Sequence, residues 1–170
     1  DTVRRQRQMC IRDRKYIKPI HELGNSPFRF NWQTPILLSP HNQDVLYLGS
    51  NFLHKSSNQG DDWQTISEDL TSGGKKGNVP YGTITTISES PVKEGVLYTG
   101  SDDGLVYVSK NSGKTWKNIS GNLPKELWVS NVYASNHDEK VVYLSLDGYR
   151  GITFLLIFLK VRIMVRHGNL

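Results

Sequence analysis

Ser56-Ser-Asn58-Gln-Gly60-Asp-Asp-Trp63 and Ser109-Lys-Asn111-Ser-Gly113-Lys-Thr115-Trp116 are two copies of one pattern, Ser-x-Asn-x-Gly-x-x-Trp. Each reads as a β-hairpin. The asparagine side chain accepts bonds from the backbone across a tight loop, the glycine takes a conformation closed to other residues, and the tryptophan packs beneath. These tasks serve folding, so Ser56, Asn58, Gly60, Trp63, Ser109, Asn111, Gly113, Thr115 and Trp116 are read as structural.

The flanks of the two hairpins repeat as well. Thr34–Pro40, Val45–Ser50, Phe52–Ser56 and Trp63–Ser67 are short runs rich in Leu, Ile, Thr and Tyr, and Thr83–Pro91, Val96–Ser101, Leu105–Ser109 and Thr115–Ser120 follow in the same order. A third copy begins at Val129–Ser135 and Val141–Ser145. The runs starting at Val45, Val96 and Val141 are 51 and 45 residues apart, a period that gives one four-stranded blade per copy. Pro40-His-Asn-Gln-Asp44 and Pro91-Val-Lys-Glu-Gly95 end the first strand of each copy, and Asp102-Asp-Gly104 supplies a tight hairpin turn. Ser72–Pro80 is the longest turn-rich connection and reads as a surface loop between blades. The expectation is an all-β chain, a partial β-propeller of about two and a half four-stranded blades, near residues 28–70, 80–124 and 128–150.

The hairpin pattern differs from the Asp-box, Ser-x-Asp-x-Gly-x-Thr-Trp, by Asn58 and Asn111 in place of Asp and by Asp62 in place of Thr. With Phe28–Pro35, Asn51–Ser56, Val79–Gly82 and Leu127–Ser130, the chain resembles the Asp-box (BNR) repeat proteins, and more narrowly the sortilin-like propellers of bacterial origin labelled glycosyl-hydrolase-like. The resemblance covers residues 25 to 150. It implies a fragment of a larger propeller, a secreted, periplasmic or cell-surface location, and a ligand-binding or scaffolding role. Its alternative is part of a BNR-repeat glycosidase, and adhesion through a linked domain is a third possibility.

Both ends read as foreign to the middle. Residues 1–15 carry six basic side chains, and Arg5–Arg14 resembles a translated sequencing-adapter read, with a disordered basic arm as the alternative. Residues 151–170 contain three basic residues and no acid. Back-translating Lys160–Asn169 and dropping two bases permits Ser-Glu-Asp-Tyr-Gly-Ala-Thr-Trp-Gln, a further Asp-box, so a frameshift soon after Arg150 is the economical reading. Both ends are then expected to pack poorly. The competing reading of the tail is an apolar strand over Ile152–Leu159.

Composition narrows the function classes. The chain has 170 residues and a net charge of +5, but residues 16–150 hold twelve bases against fourteen acids, a formal −2. The excess base sits at the ends, which weakens a nucleic-acid role. The lone Cys10 allows no intrachain disulfide. No apolar run reaches the roughly 20 residues that span a bilayer. His21, His41, His54, His137 and His167 show no metal-ligand spacing, and no cofactor motif is present; Gly73-Gly-Lys-Lys-Gly77 lacks the form of a phosphate loop.

Function in a propeller concentrates where loops enter the innermost strands. That rule nominates Arg29, Asn31, Trp32, Tyr81, Trp128, Asp102, Asp103, Asp147, Tyr149 and Arg150. Arg29, Trp32, Tyr81, Trp128, Tyr149 and Arg150 form the expected binding set: flat apolar rings beside hydrogen-bonding groups suit a protein, peptide or glycan ligand. Packing between blades is the plain alternative for each of them, and Asp102 and Asp103 read more simply as turn residues. A glycosidase needs two carboxyl groups facing one bond. Glu89, Asp102, Asp103 and Asp147 are present, but nothing in the sequence pairs them, so no catalytic residue is assigned.

Overall fold

The computed structural model describes residues 16–75, 80–121, 123–124, 127–148 and 156–162. All the regular structure in them is β. β1 (Ile36–Leu38), β2 (Leu46–Gly49), β3 (Leu53–Ser56) and β4 (Gln64–Thr65) form one antiparallel meander. β5 (Ile84–Glu89), β6 (Leu97–Ser101), β7 (Val106–Ser109) and β8 (Lys117–Asn118) form a second. β9 (Trp128–Ala134), β10 (Val141–Asp147) and β11 (Leu156–Arg162) form a third, in the order β11-β10-β9. This is the partial propeller expected from the repeats. The outer strands β4 and β8 have only two residues each, because backbone bonding beyond the hairpin soon passes to single contacts such as Ile66 N to Leu53 O and Ile119 N to Val106 O.

Of the tail, only residues 156–162 are among those described, and these form a strand. Leu156–Arg162 pairs with β10 through seven residues from Asp147 to Val141, and Ile157, Leu159 and Val161 pack on the core while their neighbours face outward. Strand alternation puts Ile157, Leu159 and Val161 on one half-buried face, whatever the segment's origin, and leaves Leu156 and Phe158 exposed on the other. It is a third strand of the third sheet. Residues 1–15, the other end expected to pack poorly, lie outside the described residues.

Consecutive sheets pack face to face around two cores. Val45, Tyr47, Leu53, Leu70, Ile84, Ile87 and Leu97 fill the first interface. Tyr98, Val106, Val129, Val132, Ala134 and Leu144 belong to the second. Close approach depends on two glycines at equivalent positions. A Cβ on Gly49 would lie 2.9 Å from Ile84, and one on Gly100 would lie 2.5 Å from Val129. Each glycine thus makes room for a branched side chain of the next sheet. Polar groups also cross the second interface: Val132 N donates to Thr86 Oγ1 at 3.2 Å and Ala134 N to Ser88 Oγ at 3.0 Å. Hydroxyls on β5 satisfy donors of β9 that no strand pairs on that side.

Candidate functional site

At one end of the sheets gather the β2–β3 and β6–β7 turns and the segments that lead into β1, β5 and β9. The opposite end holds the Ser-x-Asn-x-Gly hairpins. In these, Ser56 Oγ accepts from Gly60 N at 2.8 Å and Asn58 Oδ1 from Asp62 N at 2.9 Å. Ser109 Oγ accepts from Gly113 N at 2.9 Å and Asn111 Oδ1 from Thr115 N at 2.9 Å. Gly60 and Gly113 have φ of 95° and 89°, the left-handed region that a side chain would strain. Trp63 and Trp116 are half-buried below the loops. The tryptophans differ in one atom: Trp116 Nε1 donates to Ile66 O at 3.0 Å, whereas Trp63 Nε1 is buried without a partner.

The first end is organised by Arg29. Its Nη2 donates to Asp69 Oδ2 at 2.7 Å and to Thr71 Oγ1 at 3.0 Å, its Nε to Gly82 O at 3.1 Å, and its backbone N to Asn51 Oδ1 at 2.9 Å. Asn51 Nδ2 closes the ring on Asp69 Oδ2 at 2.9 Å. Burial alone would raise the Asp69 carboxyl, but the bonds from Thr71, Asn51 and Arg29 outweigh it and hold Asp69 below the ordinary carboxylate value. Both partners are about one-third exposed, so the ion pair contributes about 0.2–1 kcal/mol and matters chiefly for geometry.

Asp102 does the same work one repeat later. Its Oδ1 accepts from Gly82 N and Thr83 N, both at 2.9 Å, and its Oδ2 from Thr83 Oγ1 at 2.9 Å. Asn31 Nδ2 joins the chain at Thr83 Oγ1, 3.0 Å away. Burial pushes the Asp102 carboxyl up, against the bonds from Thr83 and Gly82. Asp103 Oδ2 takes Ser72 N at 2.6 Å and Ser72 Oγ at 2.7 Å, and Ser101 Oγ donates to Asp103 Oδ1. Both carboxylates are buried and committed to loop backbone, which makes them clamps.

Among the remaining candidates, Trp32 is 74% exposed just before β1. Tyr81 is half-buried and carries the Lys75 ammonium 4.1 Å from its ring centre, a contact that occupies one ring face. Trp128 opens β9, half-buried and paired in register with Asp147. Tyr149 and Arg150 lie outside the described residues. The sequence reading missed Asn51, Asp69, Thr71 and Lys75. The signal for Asn51 was present, since Gly49-Ser-Asn51 and Gly100-Ser-Asp102 are one turn repeated. Asp69 had none, because its partner Arg29 lies 40 residues away.

Two hollows flank this end. One of about 770 Å³ is lined by Phe28, Arg29, Asn51, Phe52, Trp63 and Asp69. The other, of about 400 Å³, is lined by Lys75, Tyr81, Asp103, Leu105, Leu123 and others. Apolar rings beside an amide and an ion pair can bind a hydroxylated, partly apolar ligand. Among the described residues no group of three or more His, Cys, Asp or Glu is disposed to hold a metal ion. No helix among them is long and apolar enough to cross a membrane.

No protein-family model matches the sequence, and no curated protein matches it significantly. Solved structures do. A GH74 xyloglucanase from Xanthomonas campestris is similar with a TM-score of 0.55 and 23% identity, over 74% of this chain and 20% of that one. An ancestral GH74 enzyme is similar with a TM-score of 0.55 and 12% identity, over 81% of this chain and 19% of that one. The chain thus spans about one-fifth of either relative. At this identity the likeness speaks for architecture, and with the repeated meanders it establishes the chain as a stretch of β-propeller.

Proposed function

We propose that the chain is a glycan-binding stretch of a propeller of the glycoside-hydrolase kind, contributing a sugar-facing surface at the end where Arg29, Trp32, Tyr81 and Trp128 gather. The observation that carries this reading is Trp32. A tryptophan left 74% exposed at the mouth of an innermost strand has its indole face open for stacking on a pyranose ring, and carbohydrate sites are built from such rings beside amide and carboxylate groups. Both similar structures named above are enzymes, one of them a xyloglucanase. This favours the glycosidase reading of the repeats over the sortilin-like scaffolding one.

Bond cleavage is not what these residues support by themselves. Asp102 and Asp103 spend their oxygens on backbone and hydroxyl donors, and Asp69 is tied to Arg29, Asn51 and Thr71. In this reading the stretch binds and orients polymer. With this reading goes the secreted, periplasmic or cell-surface location that the resemblance to the Asp-box repeat propellers implies.

Titration with xyloglucan oligosaccharides, with unbranched cello-oligosaccharide and mannan fragments as controls, followed by calorimetry and tryptophan fluorescence, tests the proposal. Binding of a β-glucan in the micromolar to millimolar range, weakened at least tenfold in Trp32→Ala, is expected. Absence of binding to every glycan, or full binding by Trp32→Ala, would overturn it.

A further inference from the structure

The second sheet repeats the first strand by strand, but the residues at the mouth change. Asn51 Oδ1 accepts from Arg29 N as Asp102 Oδ1 accepts from Gly82 N, both at 2.9 Å, so Gly82 stands where Arg29 stands one copy earlier. Ile66 N bonds Leu53 O as Ile119 N bonds Val106 O, which sets Ser67-Glu-Asp-Leu-Thr71 against Ser120-Gly-Asn-Leu-Pro124. In the first copy Asp69 and Thr71 brace the Arg29 guanidinium. In the second copy the sequence has lost that brace: Gly82, Asn122 and Pro124 take the places of Arg29, Asp69 and Thr71, and Gly121 takes that of Glu68.

The hollow of about 400 Å³ beside Tyr81 lies against these positions, with Gly121, Leu123 and Pro124 in its wall. Its two charged side chains sit at different depths. Asp103 is 7% exposed, and its oxygens take Ser72 N, Ser72 Oγ and Ser101 Oγ. Lys75 is exposed, with Nζ 4.1 Å from the Tyr81 ring centre. The charge that a ligand meets here is therefore the ammonium, whose several N–H donors let it keep the ring face and still bind an anion. The first hollow differs, because its guanidinium is spent on Asp69 at 2.7 Å.

The rest of the lining is apolar and amide. Leu105, Leu123 and Pro124 supply the apolar surface, and Asn118, whose Oδ1 takes Ser120 N at 2.8 Å, adds amide donors. An apolar patch, amide donors and an exposed cation match a ring that has a C–H face, hydroxyls and a carboxylate.

We infer that this hollow binds the carboxylated unit of an acidic glycan, a uronic acid residue, with the Lys75 ammonium on its carboxylate. The inference rests on the glycan-binding reading above and narrows it, since it makes the stretch prefer an acidic chain to its neutral counterpart.

Cellobiose and cellobiouronic acid differ only in a hydroxymethyl group oxidised to a carboxylate, and their titration by calorimetry tests the preference. The acid should bind about fivefold more tightly, the upper end for an exposed ion pair, and about 0.5 M salt should remove most of the difference. Lys75→Gln should bring the two affinities together by weakening the acid alone. Gly121→Glu restores the carboxylate of the first copy at a position where a Cβ meets nothing within 4 Å, and it should cancel the preference with Lys75 intact. Equal binding of both sugars by the unaltered chain, or a preference that survives Lys75→Gln, overturns the inference and leaves the broader glycan-binding reading standing. Binding of neither sugar also overturns it, while the xyloglucan titration decides the broader reading separately.

Discussion

The indole of Trp116 donates to the Ile66 carbonyl at 3.0 Å and so fastens the hairpin of the second sheet to the end of β4 in the first. Trp63, its repeat equivalent, has a buried indole N–H with no acceptor. The two positions share a sequence motif and differ in what lies beyond it.

Replacement of each indole by phenylalanine should separate bond from packing. Trp116→Phe leaves the Ile66 carbonyl without its donor and is expected to cost about 1 kcal/mol beyond the shape change. Trp63→Phe removes a donor that has no partner, so the same comparison should give about zero or a slight gain. Urea unfolding of both variants measures the difference, and equal losses would show that the hydrogen bond is worth nothing.

Gly100→Ala should destabilise by about 1–3 kcal/mol through overpacking, because the new methyl would lie 2.5 Å from Val129 Cγ1 and 2.9 Å from Thr86 Cγ2. Shortening the neighbour should help. In a double-mutant cycle, Val129→Ala is expected to recover part of the loss, with a coupling of about 1 kcal/mol. A strictly additive pair would show that Gly100 is needed for some reason other than close approach.

His54 is buried, with Nε2 2.8 Å from Ser50 Oγ and Nδ1 3.1 Å from Thr65 Oγ1. Burial holds its pKa down to about 4, against an ordinary 6.5. The unfolded chain therefore takes up the proton first as pH falls. The stability due to the neutral imidazole is fully present above about pH 6.5 and declines toward pH 4, by up to about 3 kcal/mol at 1.36 kcal/mol per pH unit. Chemical denaturation at pH 7.5, 6, 5 and 4 should show that slope, and His54→Leu should flatten it.

Trp32 and Trp128 start innermost strands and are expected to behave differently on truncation. Trp32→Ala removes an exposed ring and should change stability by less than about 0.5 kcal/mol. Trp128 is half-buried within β9, so Trp128→Ala should cost about 2 kcal/mol in lost apolar burial. Thermal and urea unfolding of the two variants check this contrast. A large loss for Trp32→Ala would mean that the ring supports the fold.

The sequence by itself determined the strands of the first two sheets and the first two strands of the third, with their order. Alternating apolar residues, Pro40 and Pro91 at strand ends, and the two Ser-x-Asn-x-Gly hairpins act within a few residues of one another, and local rules suffice to read them. It also marked the aromatic residues that enter the innermost strands. Tertiary structure decided what each position is for. Gly49 and Gly100 matter because Ile84 and Val129 arrive from the next sheet, and Arg29 is a brace because Asp69, Thr71 and Gly82 converge on it from distant segments. Asp102 and Asp103 read as turn residues and do sit in the β6–β7 turn, where they are also buried clamps, since carboxylates that accept several backbone and hydroxyl donors can leave water. Leu156–Arg162 entered the third sheet because an alternating strand pairs with any compatible edge. Equivalent residues such as Leu38 and Ala134 differ in exposure for a reason no local pattern contains: among the described residues, Ala134 has a sheet packed in front of it and Leu38 does not.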